Sequence, residues 1–84
     1  MVTGGKLNSG LQIAIKRLRE QTGIGVVEFC KVVGIIGVCE YEKGRRSVTI
    51  RVLNQYARYF NMKVSDIVKM GEDLYAETIR HNEK

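Results

Sequence analysis

The 84-residue chain has no proline and no tryptophan, one histidine and two cysteines. Without proline, helix ends fall to glycine and to capping side chains. Cys30 and Cys39 stand nine positions apart, with His81 the lone histidine. That spacing fits neither a zinc-ligand set nor a disulfide framework, so both read as reduced structural thiols and no metal or other cofactor is expected. Long apolar runs are also missing. The longest uncharged apolar stretch, Val32 to Cys39, is eight residues, against about 20 needed to span a bilayer. Met1 to Gly5 lack the charged start and apolar run of a secretion signal, so the expected location is the cytoplasm. A Gly-rich phosphate loop, a metal-ligand cluster and a nucleophile with a histidine neighbour are all lacking, and the expectation is a protein that is not an enzyme. At this length one domain is the natural reading.

One further scarcity is informative. The formal net charge is +5, yet residues 43–63 carry six basic groups and no acidic one. Residues 1–42 carry five basic against four acidic groups, and residues 64–84 three against five. A charge run is usually a solvated face, but one this one-sided creates a positive field that favours polyanions.

The chain divides into a short loose arm (1–8), a helical body (9–70) and an acidic tail (71–84). Gly4, Gly5 and Asn8 suit the arm, and Ser9 can cap a first helix. Leu11, Ala14, Ile15 and Leu18 form an apolar stripe at helical spacing, and Gly23 supplies a left-handed stop. Val26, Phe29, Cys30 and Val33 make a second stripe ending at Gly34. The β-branched segment Val32 to Val38 would, on propensity alone, suggest a buried strand. Ile50, Leu53, Ala57 and Phe60 nonetheless keep helical spacing, with Thr49 as N-cap and Asn61 in the left-handed stop. A short helix over 64–68 follows. Gly71 then reads as a break, with Glu72 and Asp73 favouring a new N-terminus and Leu74, Tyr75 and Ile79 a last stripe. The fold class expected is all-α, with five helices and the tail able to form a sixth.

This order, and residues within it, resemble the Cro and phage-repressor type of helix-turn-helix domain, the XRE family, over about residues 11–68. Ile15-Lys16-Arg17-Leu18-Arg19-Glu20 with Gly23-Ile24 is similar to the family's opening helix. Tyr41-Glu42-Lys43-Gly44-Arg45-Arg46 resembles its signature at the end of the recognition helix. The resemblance implies a compact lambda-repressor-like domain, a structural ion pair between Arg19 and Glu42, and sequence-specific binding of double-stranded DNA. It implies a small transcriptional regulator of phage, mobile-element, controller or antitoxin type, acting as a repressor and homodimer. Three positions depart from the pattern. Gly34 and Val38 are two residues closer than usual, Val26 stands where glutamine is frequent, and Ala14 where arginine is.

The residues expected at DNA are Ile36, Gly37, Glu40 and Tyr41 on the recognition helix, then Lys43, Arg45, Arg46, Ser47 and Arg51 as phosphate ligands. Base-reading donors are few: isoleucine suits a thymine methyl, and Glu40 a cytosine amine. Phe29, Tyr56, Tyr59 and Phe60 read as core, and His81 as solvated. Leu74, Tyr75 and Ile79 are the expected dimer seam. The other reading from the same residues is a helical protein-protein interaction module in which Ile35 and Ile36 meet a protein and DNA binding is weak or lost.

Overall fold

The computed structural model describes the backbone of residues 3–82 and the side chains of residues 9–79. The chain folds into five helices: α1 (Thr3–Thr22), α2 (Val26–Val33), α3 (Val38–Glu42), α4 (Ile50–Phe60) and α5 (Val64–Asn82). No strand occurs among the described residues.

Local chemistry sets most of the ends. At the exit of α1 the Thr22 hydroxyl donates to the Arg19 carbonyl at 2.6 Å and accepts from the Ile24 N–H, while Gly23 takes φ +76°. Gly34 (φ +76°) closes α2, its N–H donating to the Cys30 carbonyl. Thr49 caps α4 by accepting from the Val52 N–H at 3.3 Å, and Asn61 ends it in the left-handed region at φ 56°. Asparagine tolerates that region better than most side chains. The Val32–Val38 segment with strand propensity divides instead between the last turn of α2, a tight turn and the start of α3. Two left-handed glycines, Gly34 and Gly37, interrupt any extended run there.

The core gathers Leu11, Ala14, Ile15 and Leu18 from α1 and Phe29 and Val33 from α2. Ile35, Val38, Val52, Leu53, Tyr56, Ala57 and Ile67 complete it. Phe29 and Tyr56 are its largest members, with ring centroids 5.6 Å apart. Phe60 stacks beside them and Tyr59 meets Phe60 edge-on while staying partly exposed. The inward face of α4 is offset from the expected stripe. Val52, Leu53, Tyr56 and Ala57 are buried, whereas Ile50 is 65% exposed. Ile50 opens the helix, and since Cβ atoms tilt toward the helix N-terminus its side chain points past the rim of the core.

Two expected boundaries are absent. Helix α1 begins at Thr3, six residues before Ser9, so the arm drawn over 1–8 is helical from Thr3 onward; Met1 and Val2 lie outside the described residues. Nor does Gly71 break the chain: α5 runs through it as one 19-residue helix, and residues 71–82 form no sixth helix. The reason for the glycine is steric. Gly71 lies against Gly10, and a Cβ on either would stand 2.7 Å from the other's carbonyl oxygen. Glycine at both positions lets the two backbones touch, and α1 and α5 form the most extensive helix pair in the molecule. Long helices with low intrinsic propensity, such as the glycine-bearing start of α1, draw their stability from such pairing.

Alanine is normally about 1 kcal/mol better than glycine inside a helix, so Gly71→Ala tests the crossing by sign. We expect it to lower stability by about 1–3 kcal/mol through overpacking, a fall in melting temperature of at least about 4 °C. A rise would show that the helices have room to spare.

Candidate functional site

The end of α3 is held by a charged clamp. The Arg19 guanidinium donates through Nε to Glu42 Oε2 at 2.8 Å and through Nη2 to Oε1 at 3.1 Å. Its Nη1 donates to the Ile24 carbonyl at 3.1 Å. The two side chains are 15% and 6% exposed, so this is a bidentate pair largely removed from water, where geometry decides whether charge is tolerated. The Glu42 hydrogen bond raises the Arg19 pKa above its already high ordinary value, against the opposing effect of burial. The clamp joins the last turn of α1, the α1–α2 connection and the C-terminus of α3.

A helix of five residues has no stability of its own. Besides the clamp, α3 is anchored by Val38, fully buried. Little of it then remains for a ligand. Tyr41 is half-buried and Glu42 is taken up by Arg19, leaving Cys39 and Glu40 partly exposed. Ile36 and Gly37, expected on the helix, lie in the turn before it; Gly37, at φ +80°, is the N-cap residue of α3. Gly34 and Val38 are thus joined by a tight turn, and α3 begins only at Val38.

The turn itself is firm. Ile35 is buried and its N–H donates to the Cys30 carbonyl at 3.1 Å, while the Gln55 amide donates to the Gly34 carbonyl at 3.4 Å. Ile36 projects outward and is 89% exposed. Between this turn and α4 lies an open groove of about 540 Å³, lined by Ile36, Tyr41, Thr49, Arg51 and Gln55 among others. Gln55 is a contributor that sequence reasoning missed. It falls one helical turn after Arg51, the spacing that puts both on one face of α4.

Of the basic residues after α3, Arg51 lines this groove, and Arg46 lies against Tyr41, which also lines it. The Arg46 guanidinium carbon lies 5.8 Å from the Tyr41 ring centroid, a cation–π contact, and its Nη1 would stand 3.6 Å from a Cβ on Gly37. Arg45 Nη1 is 3.6 Å from Glu40 Oε2 in an exposed pair, of a kind worth less than about 1 kcal/mol. Lys43, Ser47 and Arg51 are exposed, and neither Lys43 nor Arg51 has an ion-pair partner among the described residues. The fold thus brings Arg46 and Arg51 to the apolar turn. Arg58 belongs to the last turn of α4 and Lys63 follows that helix, at the far end from Arg51.

The remaining candidates lie elsewhere. Leu74, Tyr75 and Ile79 are half-buried on α5, and the His81 side chain lies outside the described residues. Among the described residues no three His, Cys, Asp or Glu side chains come together as a metal site, and no helix is long and apolar enough to cross a membrane. Comparison with protein-family models, curated proteins and solved structures finds no match.

Two predictions concern the clamp and the tyrosine behind it. Arg19→Met leaves the Glu42 carboxylate enclosed without a partner and should cost about 3 kcal/mol, whereas R19M combined with E42L should recover most of that. Equal losses in the single and double variants would mean that the pair has little coupling. Tyr56 is fully buried and its hydroxyl has no hydrogen-bond partner among the described residues. Burial, followed by the charge of Glu42, pushes its pKa well above the usual 10.0. The unfolded chain therefore ionises first, so this contribution to stability is complete below about pH 10 and is lost as pH rises above it. Tyr56→Phe should leave stability at pH 7 unchanged or up to about 1 kcal/mol higher. Its advantage over the parent should widen between pH 9 and 11 in thermal melts.

Proposed function

We propose that the chain is a small lambda-repressor-like helix-turn-helix protein that binds double-stranded DNA and regulates transcription by occupying a site on it. The observation that carries this reading is the basic stretch 43–63, free of acidic residues, whose Arg51 lines the groove at the α2–α3 turn and whose Arg46 lies beside Gly37 in that turn. The resemblance to the XRE family over residues 11–68 agrees with it.

In this reading α2, the turn and α3 face the duplex. Lys43, Arg45, Arg46, Ser47 and Arg51 engage phosphates, which sets register and supplies most of the affinity. Arg45 gives up only an exposed contact with Glu40 to do so, and Arg46 needs only to swing from the Tyr41 ring. Base readout is sparse, since α3 offers Glu40 as its one exposed charged group and that group is repelled by nearby phosphates. Binding is accordingly dominated by the backbone, and specificity is modest.

A homodimer would double these contacts and space them about 34 Å apart, one turn of duplex. Leu74, Tyr75 and Ile79, half-buried on α5, are the proposed seam. A protein-protein interaction role on the same fold is the second reading, favoured by the exposure of Ile36 and Ile50. In it the groove receives an apolar side chain and the cations select an acidic partner.

Titration of a duplex over salt separates the two readings. Neutralising four to six phosphates gives a log-log slope of about −4 to −5. Replacing Arg45 and Arg46 together by Ala should reduce that slope by about 2 while lowering stability by no more than about 1 kcal/mol. Absence of duplex binding at low salt would overturn the DNA reading.

A further inference from the structure

Ile36 is the most exposed of the large apolar side chains described, at 89%, and nothing in the fold requires it there. Its neighbour Ile35 does the structural work of the turn, buried and hydrogen-bonded to Cys30. The tip is nevertheless held in place. Gly34 and Gly37 flank it in left-handed conformations that other side chains rarely adopt, and Gln55 ties the Gly34 carbonyl to α4. An apolar group is thus fixed at a defined point, with the Arg46 guanidinium on one side of the turn and Arg51 across the groove.

A ligand matching that layout is apolar at its centre and anionic on its flanks. The major groove of a duplex offers this combination at a thymine, whose C5-methyl group projects into the groove between the two phosphate backbones. The polar alternatives on α3 are few, since Val38 is buried, Glu42 is bound to Arg19 and Glu40 faces Arg45. We propose that Ile36 is the base-reading residue and that it reads C5-methyl groups, favouring thymine over uracil and 5-methylcytosine over cytosine alike. This deepens the DNA reading above and rests on it. The contact is apolar, so it detects the methyl and not the hydrogen-bonding edge of the base. An A-form RNA helix, with uracil and a narrow major groove, is disfavoured twice.

The test uses four duplexes of about 20 base pairs, two helical turns, measured by fluorescence anisotropy at one salt concentration. They carry alternating dA-dT, dA-dU, dG-dC and dG-5-methyl-dC. Affinity should be about fourfold higher for each methyl group that Ile36 covers, from the burial of one carbon-sized apolar group, in both the T against U and the methylated against unmethylated C comparisons. Ile36→Ala should abolish both preferences while the thermal melt and the salt slope stay as in the parent, because the side chain is solvent-exposed and uncharged. A methyl preference that survives I36A assigns it to DNA shape and overturns the proposal. Equal binding of all four duplexes with an intact salt slope overturns the proposal but leaves the DNA reading standing. Failure to bind any of the four overturns both.

Discussion

The bidentate pair between Arg19 and Glu42 is the interaction on which the arrangement of α3 and the basic loop after it depends. Helix α3 is too short to persist as a helix in isolation, and the loop after it has no regular structure to hold its cations in place. Glu42 closes α3, and Arg19 fixes Glu42 to α1 and, through the Ile24 carbonyl, to the entrance of α2. The position of Arg45 and Arg46 follows from that attachment, since both of their N–H groups donate to the Glu40 carbonyl. An ion pair removed from water adds little net stability. Its value here is geometric: three segments are placed by one planar, forked group.

Much of the architecture was legible because it is local. The α1 stripe, the stops at Gly23, Gly34 and Asn61 and the Thr49 cap each follow from spacing or from one side chain bonding its neighbours. Where reading along the chain went astray, the deciding partner was distant. Gly71 looks like a stop until Gly10 is placed against it, and its meaning lies in a contact 61 positions away. Ile50 keeps the period of α4 but sits at its rim. The helical start of α1 contradicts the low propensity of Gly4 and Gly5.

The site was legible as composition more than as geometry. An acid-free stretch marks a cationic surface, and nothing in the sequence says that its six charges divide between the two ends of α4. Similarly, the close spacing of Gly34 and Val38 signals that something is shortened. Only the three-dimensional turn shows Ile36 at an exposed tip before α3 and not on a helix face.

The meeting of Gly10 and Gly71 also bears on how the molecule opens. Most helix interfaces loosen by degrees, as side chains between them change rotamer. Here each helix presents its backbone to the other's carbonyl oxygen, and neither glycine has a side chain that could rearrange. Opening at that point therefore has to move backbone away from backbone.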